Sequence, residues 1–206
     1  MLVYTYQRLP FLYIQFWRHV MTTVRTTLDR LVSTMGLALA LLLLAAGGVL
    51  VWASNYVGDQ VGSQLSMQDI TMPSAGALQK LPKEDAAALK EFAGQKMTTG
   101  VQAKAFSDHY ILVHMNASSG NRTYEEVSSE FVTMSDEAKA SPEGQKLGQL
   151  RQTLFMGSTL RGLLLNAYAF GTMGAVALWA GIGAFIGAAF MLLLSALGFR
   201  HAKSAR

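Results

Sequence analysis

The chain has 206 residues, 51% of them hydrophobic, a formal net charge of +4 and no cysteine. That length accommodates one modest domain together with membrane segments and excludes two large soluble domains. Zero cysteines exclude a disulfide framework, a thiolate metal site and an acylated lipoprotein cysteine, so any exported domain must be held by packing.

In chain order, the opening residues MLVYTYQRLPFLYIQFWRHV are aromatic and basic, the composition of an interfacial helix on the inner membrane leaflet. A start at Met21 gives instead an ordinary basic lead-in, MTTVRTTLDRLVSTMG. Residues 1–34 are assigned to a cytoplasmic N-terminal segment. Next comes MGLALALLLLAAGGVLVWA, residues 35–53, without a charge. At ~1.5 Å per residue such a helix covers roughly 28 Å, close to the hydrocarbon thickness of a bilayer. A first transmembrane helix is therefore expected over residues 35–54, with Trp52 and Tyr56 as interfacial rings at its outer end. A cleaved signal peptide ending at VWA is the competing reading; the apolar stretch is longer than a signal core, which favours retention.

Residues 55–171 show no sustained alternation of apolar and polar positions, while helix start signals recur. LPKEDAAALKEFAG carries Pro82 at its entry, Glu84 and Asp85 in the first turn, and Gly94 as terminator. Thr99 with Gln102, and Thr123 with Glu126, have capping-box spacing, predicting helices that end near Asn116 and Thr133. Ser141 and Pro142 open a last helix that meets no further proline. Short polar connections between such helices imply antiparallel neighbours. The expected fold class is all-α: two transmembrane helices with an inserted extracytoplasmic helical bundle.

Within that bundle, AFSDHYILVH concentrates an aspartate, two histidines and a tyrosine. On a regular helix Ala103, Phe106, Tyr110 and Val113 share one face with His114 at its edge. His109 and His114 are five apart and diverge by roughly 140°, unlike the i, i+4 spacing with which two imidazoles grip one ion. Asp108, His109 and His114 are weak metal candidates, each needing carboxylates from other helices such as Glu125, Glu126 or Glu130. The plainer expectation is that each imidazole is packed and hydrogen-bonded, with no cofactor. Met67, Met72, Met97, Met115, Met134 and Met156 are scattered rather than clustered, which suits core filling better than copper binding.

Arg161 is a permanent charge in the apolar context LFMGSTLRGLLLNAYAF; Asp108 or Glu126 is its expected partner, a lipid phosphate the alternative, with Asn166 and Tyr168 in the same polar layer. A second span is placed at residues 172–197, and residues 198–206 form a basic cytoplasmic tail. Ala180, Gly183, Ala184, Gly187 and Ala188 give that span a small-residue face suited to close helix approach, whether to the first span, a second copy or another membrane protein. Seven basic residues against one acid flank the two spans, leaving a charge of −2 for everything between them. By the positive-inside rule both termini are cytoplasmic, in the plasma membrane, and the middle is extracytoplasmic. The sequence pI near 9.4 thus follows from topology and is no sign of nucleic-acid binding.

No nucleophile elbow, phosphate-cradling glycine loop or zinc-protease helix is present, and neither span holds an ionisable residue of the kind a transport path uses. Packing features without a reactive constellation predict a non-enzymatic scaffold or accessory, regulatory subunit of a membrane or cell-envelope complex. On MPSAGALQKLPKEDAAALKEFAGQKMTTGVQAKAFSDHYILVHM and LRQTLFMGSTLRGLLLNAYAFGTMG, the sequence resembles small actinobacterial two-pass membrane proteins of unknown function, some labelled aromatic ring-opening dioxygenase. The resemblance spans roughly residues 25–206 and carries over no established catalytic residue. The label implies a metal-dependent, membrane-anchored enzyme with two histidines and a carboxylate on iron, the alternative in which His109 or His114 would act with Asp108 and nearby acids.

Overall fold

The computed structural model describes residues 8–204, and among them the fold is all-helical. Helix α1 (Arg8–Met67) is followed by α2 (Ala75–Leu78), α3 (Lys83–Leu89) with a 3-10 turn Lys90–Phe92, and α4 (Gly100–Phe106). A π-helical turn, Ser107–Ile111, joins α4 to α5 (Leu112–Ser119). Then come α6 (Tyr124–Thr133), α7 (Asp136–Ala140) and α8 (Pro142–Ser204). Both α1 and α8 contain a stretch long and apolar enough to cross a membrane. The residues fall into two compact units, one of Met1–Trp52 with Ala177–Arg206 and one of Ala53–Val176.

Local capping signals act where the sequence places them. Thr99 accepts from the Gln102 N–H at 3.3 Å while Gln102 Oε1 accepts from the Thr99 N–H at 3.1 Å. The Thr123–Glu126 box closes the same way, and the Gly144 N–H donates to Ser141 Oγ at 3.2 Å with Pro142 at the first helical position. Gly94 and Gly120 take φ of +72° and +65°, which lets the chain leave a helix without a Cβ clash.

Three local features differ from expectation. The first helix runs on to Met67 instead of ending near the span boundary, because nothing between Ser54 and Met67 breaks it: Gly58 and Gly62 are tolerated singly in a helix. It also begins at Arg8 as one continuous element, so the residues from Arg8 onward are not a separate interfacial helix; residues 1–7 lie outside those described. And AFSDHYILVH is not a regular helix. The Leu112 N–H reaches back five residues to the Ser107 carbonyl, so the turn is wider than 3.6 residues and the face assignments beyond Ser107 are shifted.

In the first unit, α1 and α8 pair antiparallel through a seam of small residues recurring every seven positions. Thr26, Ser33, Ala40 and Gly47 are the buried column on α1; Gly181, Ala188, Ser195 and Ala202 are that on α8. Ala40 and Ala188 are 0% exposed. A seven-residue repeat keeps one stripe of each helix on its partner, and residues this small let the backbones come close. The large apolar side chains point outward: Leu42, Val49, Trp179, Ile186 and Leu193 are exposed. A helix pair with its small residues inside and its bulky apolar residues outside is arranged for a hydrocarbon solvent.

The second unit has an ordinary apolar core. Leu65, Met72, Leu78, Leu89, Met97, Ala103 and Leu164 are buried together, with Phe106, Tyr110 and Leu160 packed around them. Two antiparallel backbone contacts, Met72 N–H to the Gln95 carbonyl at 2.8 Å and Met97 N–H to the Ile70 carbonyl at 2.9 Å, fasten the loops on either side of α2 and α3. Of the scattered methionines Met72 and Met97 fill this core, whereas Met67 and Met156 are exposed.

Candidate functional site

The polar centre of the second unit is built on the π turn. Its start exposes the Ser107 carbonyl, which accepts from Arg161 Nε on α8 at 3.1 Å, and the neighbouring Asp108 Oδ1 accepts from the same guanidinium at 3.1 Å. From the preceding turn, Lys104 Nζ donates to Asp108 Oδ2 at 2.5 Å and stands 5.5 Å from the centre of the Tyr168 ring. Asp108 and Arg161 are each about a quarter exposed, at 23% and 24%. Burial pushes the Asp108 carboxyl up, but the hydrogen bonds and charges of Lys104 and Arg161 outweigh it and hold the group below the usual carboxylate range. Lys104 is raised in turn, by its hydrogen bond to Asp108 and then by that residue's charge. One carboxylate shared by two cations is a clamp between α4 and α8.

One position on, His109 Nδ1 donates to Asp85 Oδ1 on α3 at 2.8 Å, so consecutive residues of the π turn tie it to two different helices. His114 is exposed; its Nδ1 donates to the Tyr110 carbonyl at 2.7 Å and its ring lies 4.3 Å from that of Tyr110, which stacks on Phe106 at 4.9 Å. The two histidines are thus committed to separate partners. The acidic residues of α6 are engaged as well: Glu126 caps its own helix, Glu125 accepts from Ser129 Oγ and Glu130 pairs with Arg122. Among the described residues, no three histidine, aspartate or glutamate side chains converge as a metal site requires. His109, His114 and Asp108 do not form the two-histidine, one-carboxylate set that iron-dependent ring opening needs.

Asn166 is not among the hydrogen-bond partners of Arg161, Asp108 or Lys104. It lines a groove of about 490 Å³ in the second unit, together with Tyr56, Val61, Leu163 and Phe170, with Gln60 and Gln64 one helical turn apart on α1, and with Gln68 in the turn after it. These glutamines escape a sequence reading that ends the first helix at the bilayer boundary. The i, i+4 spacing of Gln60 and Gln64 is the signal that would have found the first two.

The small-residue face of the second span divides in two. Ala188 is buried, Ala184 is half-buried, and Gly187 meets Leu43 Cδ1 at 3.5 Å from the position of a Cβ, so these three serve the seam with α1. Ala180 and Gly183 are exposed, and a Cβ on Gly183 would meet nothing within 4 Å. No protein-family model, curated protein or solved structure matches the chain.

Proposed function

We propose that this is a non-enzymatic integral membrane protein, a scaffold or accessory subunit of a membrane or cell-envelope complex. It crosses the plasma membrane on α1 and α8, with both termini cytoplasmic and the second unit extracytoplasmic. The basic surplus at both flanks supports the orientation. The observation that carries the partner reading is the spare small-residue patch at Ala180 and Gly183. The seam with α1 already uses Gly181, Ala184 and Ala188, yet the helix keeps further small residues exposed among bulky neighbours such as Trp179 and Ile186. In hydrocarbon, small exposed residues leave a notch that lipid fills poorly and a second helix fills well. The polar clamp at Asp108 supports the same reading, since its charged groups are engaged with one another and hold helices together without presenting a reactive group.

The test is a benzophenone attached at Ala180→Cys and photolysed in native membranes, with Leu193→Cys as a control on the outward face. The expected result is an adduct of one discrete mass from position 180 and none from position 193. Monomer alone from both positions would overturn the proposal.

A further inference from the structure

The groove in the second unit is lined by two kinds of side chain. On α1 the side-chain amides of Gln60 and Gln64 step along one face, followed by Gln68 in the turn just past its end and joined from α8 by Asn166. All four amides are exposed, and none is hydrogen-bonded to another described residue. The rest of the lining is apolar, with Val61 on α1 and Leu163 and Phe170 on α8. No charged residue lines the groove. Along α8 the turn after Phe170 presents exposed Met173 and Val176, so the groove leads from amides toward apolar helix surface. Its volume falls within the ~300 to 1,000 Å³ of small-molecule sites.

We infer that this groove binds the head of an uncharged, polyhydroxylated lipid, a glycosyl diacylglycerol, with the first carbons of one chain against Leu163 and Phe170. Each amide offers donors and an acceptor, which match hydroxyls that donate and accept in turn. A phosphate or carboxylate head would find no cation in the lining to pair with. From Tyr56 to the last helical residue, Met67, there is about 16 Å of helix, room for a sugar and the glycerol below it. The inference rests on the membrane placement proposed above.

The full chain is reconstituted into dioleoyl phosphatidylcholine vesicles containing either dioleoyl glucosylglycerol or dioleoyl phosphatidylglycerol. Flotation reports membrane insertion, and native mass spectrometry of the ejected protein reports retained lipid. The expected result is one glucosyl lipid per chain, no comparable retention of phosphatidylglycerol, and a drop of about tenfold in the Gln60→Leu, Gln64→Leu double variant, as the loss of two hydrogen bonds predicts. Leu163→Trp, which adds bulk to an exposed wall position, lowers retention without touching the core. Equal retention of the two lipids, or unchanged retention in both variants of a floating protein, overturns the inference. Failure to float overturns the membrane placement, and this inference with it.

Discussion

Gly47 and Gly181 face each other across the helix seam, and a Cβ built on either would lie 3.2 Å from the other's carbonyl oxygen. The same added atom would stand 3.0 Å from Phe185 on one side and from Val51 on the other. Gly181→Leu therefore forces the backbones apart, where van der Waals packing is the main force holding helices together in lipid. With no native cysteine to interfere, a short bis-maleimide linking Leu43→Cys to Gly187→Cys reads the pairing. We expect efficient linkage in the parent and a loss of most of it when Gly181→Leu is added.

Removing the shared carboxylate leaves two cations facing each other. Asp108→Asn keeps the shape but strips Arg161 of its charged partner. For a pair about three-quarters buried the loss lies between that of an exposed and a fully buried ion pair, about 1–3 kcal/mol. Lys104→Met, whose partner retains Arg161, costs less. Thermal unfolding of the detergent-solubilised protein, followed by helical signal, ranks the two variants.

Acid acts through the same residue. Asp108 is held below its unfolded value, so its contribution is fully present above about pH 4, the unfolded carboxylate range, and is lost as pH falls through the lower folded value. Lys104 is raised, so its contribution is present below about pH 10 and is lost as pH climbs through the higher folded value. Melting temperature measured downward from pH 7 should fall in acid for the parent and fall less for Asp108→Asn. An equally steep fall in both would place the acid sensitivity elsewhere.

Gly100 opens α4 directly against α8. A Cβ there would lie 2.7 Å from the Ala167 carbonyl oxygen and 2.8 Å from Tyr168 Cα, both backbone atoms that cannot rotate away. Gly100→Val should push the α4 N-terminus off α8 and destabilise the unit by about 1–3 kcal/mol, as overpacking does. Hydrogen exchange localises the effect: protection is lost in residues 100–106 while the α1–α8 seam, residues 181–202, keeps its own.

Much of the helical plan was legible because capping is local. Thr99, Thr123 and Ser141 announce helix starts through side chains that reach only three residues on. The π turn was not legible, since its extra residue is accommodated by Arg161 from a helix some fifty positions away, whose guanidinium takes the Ser107 carbonyl. The small-residue seam was half visible: Ala184, Gly187 and Ala188 stand out within the second span, but the matching column at Thr26, Ser33, Ala40 and Gly47 begins in the basic lead-in, outside the apolar window. Gln60 and Gln64 were lost for the same reason at the other end. A span is bounded by hydrocarbon thickness, whereas a helix stops only where its hydrogen bonding does.

Everything rests on α1 and α8 crossing the bilayer with the second unit outside. Ala117→Cys, on the exposed end of α5, and Lys203→Cys, near the end of α8, report the two sides with a membrane-impermeant maleimide. In intact cells position 117 should label and position 203 should not, with position 203 labelling once the membrane is permeabilised. Labelling of position 203 in intact cells, with position 117 reached only after permeabilisation, would contradict the account.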